Sequence, residues 1–81
     1  MTIEQWLSEL DTKSIAVETM RLAARTHASN GDIEAAVRAA TFATQHDRLG
    51  LQASLASRDR TYAEVYPVRK AELEEIMKET K

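Results

Sequence analysis

His27 and His46 are the chain's two histidines, and Asp47, directly after His46, supplies a carboxylate able to orient an imidazole as a metal or general-base site requires. A metal or general-base site needs more than that. Three or four ligands must converge, and no HxxxH, ExxH or DxD spacing occurs anywhere in the chain. Glu72, Glu75 and Glu79 recur at i, i+3 and i+7, which places three carboxylates on one helix face beside Arg69 and Lys78. Solvation of a charged face accounts for them. The serines lack a glycine-rich elbow, and the chain's two glycines stand far apart, so no phosphate-cradling loop exists. These residues predict a non-enzymatic chain with no cofactor and no metal. An enzyme would require a deep pocket converging on His27 or His46.

Binding chemistry is better represented than catalytic chemistry. Arg48, Arg58, Arg60, Arg69 and Lys70 are interleaved with Tyr62 and Tyr66. Arg58 and Arg69 lie eleven residues apart, three turns along one face of a continuous helix, and tyrosines can stack on exposed bases. Asp59 and Glu64 dilute this stretch. Across the chain the formal net charge is −2 and the isoelectric point about 5.6, whereas a phosphate-binding protein carries a basic face. Residues 1–34 hold six acids against three bases, residues 48–70 five bases against two acids, and residues 71–81 four acids against two bases. An acidic protein partner, or the chain's own acidic segments, matches this central positive zone as well as nucleic acid does. Trp6 is a further candidate, either as a core anchor or as a hot spot on a short terminal helix.

The elements that must position these residues are all helical. In 81 residues there is room for one small domain, spanning residues 1–81, with a thin core. With no cysteine, neither disulfides nor thiolate metal sites can supplement that core. Helix packing or self-association must do so, which predicts a homodimer or higher oligomer. No apolar run approaches the ~20 residues of a membrane span, and the N-terminus lacks a signal segment, so the expected location is cytoplasmic.

Thr2-Ile3-Glu4-Gln5 reads as a capping box opening a helix from Ile3 to about Leu10, with Ile3, Trp6, Leu7 and Leu10 on one face. Asp11-Thr12-Lys13-Ser14 offers several caps and predicts a bend. From Ile15 to Ser29, Ile15, Ala16, Val17, Met20, Leu22, Ala23 and Ala24 cover nearly half of the helix circumference, so this helix should be touched on two sides. Asn30-Gly31-Asp32 then ends one helix and caps the next. After it, Ile33, Ala36, Val37, Ala40 and Ala43 form a single buried stripe.

Leu22–Thr44 resembles one tetratricopeptide repeat unit. Gly31-Asp32-Ile33-Glu34-Ala35-Ala36-Val37-Arg38-Ala39 is similar to the turn and second helix of that repeat, with Ala24, Ala36 and Ala43 at its small packing positions. Met20 and Ala40 stand where the repeat carries aromatics, and Phe42 lies off its pattern. The resemblance implies an antiparallel helix pair and points towards peptide binding.

Past Thr44 two readings diverge. A helix running from 33 to 66 would be about 51 Å long, and would have to protrude or find a partner. Two copies paired antiparallel about a centre between Gln52 and Ala53 would set Leu55 against Gly50, Arg58 against Asp47, Tyr62 against Ala43 and Val65 against Ala40. Alternatively Gly50 ends the helix, and Leu51, Leu55 and Tyr62 pack inside a monomeric bundle. Pro67 predicts the first turn of a final helix to about Glu79, with Val68, Leu73, Ile76 and Met77 on its apolar side. The expected fold is therefore all-α: an antiparallel hairpin within a three- to four-helix bundle, possibly with one long helix. The expected function is a protein–protein interaction module, whether adaptor, chaperone-like protein or inhibitor. Its contacts would be Trp6, Leu7, Leu10, Leu51, Leu55, Arg58, Tyr62 and Val65. Nucleic-acid association through Arg48, Arg58, Arg60, Arg69 and Lys70 is the alternative.

Overall fold

An alanine-rich helix held between two others is the axis of this structure, a computed structural model that describes residues 2–8, 10, 14–50 and 53–79. The elements are α1 (Ile3–Leu7), α2 (Ile15–Ser29), α3 (Ile33–Leu49) and α4 (Leu55–Glu79), with no strand among the described residues. Helix α3 pairs antiparallel with α2 on one side and with α4 on the other, while the short α1 leans on α2 and α4. At 1.5 Å per residue, the 25-residue α4 is about 37 Å long. It therefore spans the longest dimension of the molecule, whose extents are 40 × 24 × 18 Å.

Local chemistry sets most of the boundaries. Thr2 and Gln5 form the capping box: Gln5 N–H donates to Thr2 Oγ1 at 3.1 Å, and Thr2 N–H to Gln5 Oε1 at 2.8 Å. Ser14 caps α2 by accepting from Val17 N–H, and Asp32 caps α3 by accepting from Ala35 N–H at 3.2 Å. Between α2 and α3 the left-handed position falls on Gly31, φ 79°, while Asn30 keeps a negative φ. Ser54 caps α4, accepting from Ser57 N–H at 3.2 Å.

Small side chains allow α2 and α3 to approach closely. Ala24, Ala36, Ala40 and Ala43 are fully buried, as is Val37, and α4 closes the layer with Leu73 and Ile76. Trp6, Leu7, Leu10 and Val17 complete one continuous core.

Two sequence expectations are corrected, and the choice left open past Thr44 is decided. The first helix ends at Leu7, not Leu10, although Leu10 is still buried. The helix beginning at Ile33 does not run on to residue 66. It stops at Leu49, because Gly50 adopts φ 71° and ψ −170°, a conformation only glycine occupies readily. The chain then folds back, so that α4 lies antiparallel along α3 within one molecule: Gln45 Nε2 donates to the Arg58 carbonyl at 2.6 Å, and the Phe42 and Tyr62 rings meet at 5.2 Å. Leu51 and Gln52, like Asp11–Lys13 in the expected bend, lie outside the described residues.

Finally, Pro67 does not begin a helix but lies inside α4. It lacks the N–H that Ala63 O would accept, and both residues are exposed, so the lost bond falls on the solvent side of the helix. Val65, Arg69 and Leu73, buried on the opposite side, hold the helix through the proline.

The break at Gly50 yields an expected result. A Cβ there would meet no atom within 4 Å, so Gly50→Ala carries only the torsional penalty. It should destabilise the protein by about 1–3 kcal/mol, read as a lowered urea midpoint at unchanged slope. A variant as stable as the parent would show that some other feature ends α3.

Candidate protein-interaction face

Arg69 is the least expected feature of the molecule. It is 3% exposed, on the inner stripe of α4 between Val65 and Leu73. Its Nε and Nη2 donate to Thr44 Oγ1 at 3.1 and 2.9 Å, and its Nη1 donates to the Trp6 carbonyl at 2.5 Å. Thr44 passes the interaction on by donating to Ala40 O at 2.9 Å. The guanidinium lies 5.7 Å from the centroid of the Trp6 ring, and Glu72 balances its charge at 3.6 Å. One side chain thus ties α1 and α3 to α4 through hydrogen bonds that a planar five-donor fork makes and an ammonium does not.

This cluster reorders the candidate contacts. Trp6, Leu7 and Leu10 are each under 5% exposed and Val65 is 5% exposed, so in the folded single chain they offer no face to a partner. They are buried because a five-residue helix has no stability of its own and must be anchored by its apolar side. Leu55 is 78% exposed, Arg58 and Tyr62 are half-buried, and Leu51 is outside the described residues. Of the basic residues, Arg69 is committed to the core and Arg58 Nε donates to Ala53 O at 3.2 Å. Arg48, Arg60 and Lys70 remain on the surface, at separate places along α3 and α4. A signal for the burial of Arg69 was present in the sequence: Tyr62, Val65, Arg69, Leu73 and Ile76 follow helical spacing, with one cation inside an apolar stripe.

Among the described residues, one exposed feature with binding character lies where α3 and α4 meet. Phe42 (43% exposed), Tyr62 and Tyr66 form a ladder, Phe42 tilted 49° against Tyr62 at 5.2 Å and Tyr62 stacked on Tyr66 at 5.7 Å. Burial beneath its aromatic neighbours pushes the Tyr62 phenol above its ordinary range, with Tyr66 adding to the effect and Arg38 opposing it. Beside the ladder runs an open groove of about 370 Å³, lined by Ile33, Glu34, Val37, Tyr66, Lys70 and Glu74. Its floor is apolar and its rim carries both signs of charge. Arg38 pairs with Glu34 at 2.6 Å along that rim, exposed enough that the pair adds little stability. Phe42, which falls off the repeat pattern in the sequence, is the outermost ring of the ladder.

The histidines lie apart. His27 sits beside the Asn30–Asp32 turn, and His46 is at the other end of α3, roughly 20 Å along the helix. Among the described residues no group of three His, Asp or Glu side chains is placed to hold a metal ion. Among the same residues, no helix is long and apolar enough to cross a membrane. No protein-family model, curated protein sequence or solved structure matches the chain.

Proposed function

We propose that this chain is a small non-enzymatic protein–protein interaction module, acting in the cytoplasm as an adaptor, chaperone-like partner or inhibitor and associating with itself. Its partner-binding face is the α3–α4 groove with its aromatic ladder. The observation that carries this reading is the ladder. Three rings in series, Tyr62 touching both Phe42 and Tyr66 and all partly open to solvent, stand beside a groove lined by apolar and charged side chains. Such an arrangement takes one or two apolar side chains of a polypeptide while the rims meet its polar flanks. The groove volume lies at the lower end of the range that holds small ligands, and its open side suits a segment of chain.

Nucleic-acid association has less support, because Arg69 is buried and Arg58 is turned towards its own backbone. The two readings separate in a selection of displayed peptides, followed by binding measurements at two salt concentrations. The expected outcome is an enriched apolar motif whose affinity falls about tenfold or more in Tyr66→Ala and changes little with salt. Failure to enrich any motif would overturn the reading. Tight binding of RNA or DNA with a steep loss on added salt would replace it.

A further inference from the structure

Among the described residues, the outer face of α2 has no counterpart within the chain. Ile15, Thr19, Leu22, Thr26 and Ser29 are all exposed, Ile15 at 86% and Leu22 at 45%. Their spacing alternates four and three residues, which is the seam of a coiled coil. No ionisable group stands on it. The contrast with α4 is internal to the molecule, for the exposed residues there include Arg60, Glu64, Lys70, Glu74 and Lys78. A face meant only for water carries such charges, and α2's outward stripe carries none.

The flanks of the seam say what covers it. On one side stand Glu18 and Arg25, and on the other Ala16 and Ala23, each pair seven residues apart and all four half-buried. Arg25 is anchored on its flank by Glu4, 2.7 Å from Nε, while Glu18 has only a loose pair with Arg21 at 3.9 Å. A helix with one acid and one base at this spacing is complementary to its own antiparallel copy. Turned about a two-fold axis near Met20, Glu18 of each copy faces Arg25 of the other, Thr19 meets Leu22, and Ile15 meets Thr26. The alanines face each other across the second flank and let the backbones approach. Parallel pairing would set Glu18 against Ala23 and form no ion pair, so charge decides the direction.

We propose that α2 pairs antiparallel with α2 of a second copy through this seam. This rests on the self-association proposed above and names its surface, which is separate from the α3–α4 groove. The inner face of α2, with Val17, Ala24 and Ala28, is filled by the chain's own core. Helices α3 and α1 supply the contacts of α2 within the chain, and the seam is left over from both. Two short helices bury little area, so the dimer belongs to the weak, reversible class.

Sedimentation equilibrium of the full chain from micromolar to millimolar concentration tests this. The wild type should show reversible dimerisation, and Leu22→Glu should weaken it about 30-fold or more with helix content unchanged. Glu18→Arg and Arg25→Glu should each dimerise poorly alone, since each sets like charges face to face. Their equimolar mixture should associate more tightly than either, because every flank then pairs opposite charges. A dimer untouched by Leu22→Glu would leave self-association standing and overturn this surface. A wild type that stays monomeric at millimolar concentration would overturn both. A mixture no tighter than its components would overturn the antiparallel register.

Discussion

Replacing Arg69 with alanine should lower the free energy of unfolding by roughly 3–5 kcal/mol. The guanidinium donates to Thr44 Oγ1 and the Trp6 carbonyl inside the core. Removing it orphans a buried carbonyl, leaves a cavity at a 3%-exposed position, and detaches α1 from the α3–α4 pair. For a chain this size, with a total stability of about 4–12 kcal/mol, that is a large share. Chemical denaturation followed by circular dichroism gives the number directly, and thermal midpoints should fall by about 4–8 °C for each kcal/mol. Arg69→Met is the sharper comparison. It keeps the apolar stem but supplies no donor, so it should still lose about 1–3 kcal/mol. A methionine variant as stable as the parent would show that the hydrogen bonds contribute nothing beyond packing.

Trp6→Ala should cost about 3–5 kcal/mol, and the loss should be local in character. Helix α1 has five residues, far too few to be helical alone, and it keeps its place through the burial of Trp6 and Leu7 and the bond from Arg69. Amide exchange in the variant should therefore rise first across Ile3–Leu7, while α2 and α3 retain protection. Trp6→Phe separates the ring from its polar atom. Among the described residues the indole N–H finds no acceptor, so phenylalanine should cost less than about 1.5 kcal/mol. If alanine at this position left α1 as protected as before, the anchoring role given to Trp6 would be wrong.

Much of the backbone plan was legible because it rests on local chemistry. Thr2 and Gln5 announce a capping box, Asn30-Gly31-Asp32 announces a stop and a start, and the apolar spacing from Ile15 to Ser29 gives α2 its observed bounds. What was hard to read depended on which interactions win at a distance. Pro67 carries a strong local signal for a helix start, yet the burial of Val65, Arg69 and Leu73 runs the helix through it. Splitting the helix at Pro67 also hid Arg69, because a cation just past a break reads as a surface charge. Ser54 was not singled out: the reading in which Gly50 ends a helix placed Leu51, Leu55 and Tyr62 in a bundle but named no cap for the helix that follows. Antiparallel complementarity about residues 52 and 53 was visible as a pairing of two copies, but its pairs are not the ones observed, where Phe42 meets Tyr62 and Thr44 meets Arg69. Complementarity of that kind does not distinguish two chains from one chain folded back, and the torsion at Gly50 makes the choice.

The candidate face was only partly readable. Tyr62 was singled out by spacing, but Phe42 drew notice only for departing from the repeat pattern. Its role emerges once α4 returns along α3 and brings Tyr62 to within 5.2 Å of it. Trp6, Leu7 and Leu10 gave the opposite problem, since an amphipathic terminal helix looks the same whether its apolar side meets a partner or its own core. In this chain α2 and α4 supply that partner surface.

Backbone amide shifts, mapped as the selected peptide is titrated into the isotope-labelled chain, test whether the α3–α4 groove holds the partner. The largest changes should cluster at Ile33, Val37, Arg38, Phe42, Tyr62, Tyr66 and Lys70, while Trp6 and Thr44 in the buried Arg69 cluster stay fixed. Shifts centred instead on Ile3–Leu10, on either histidine, or on Arg48 and Arg60 would contradict it.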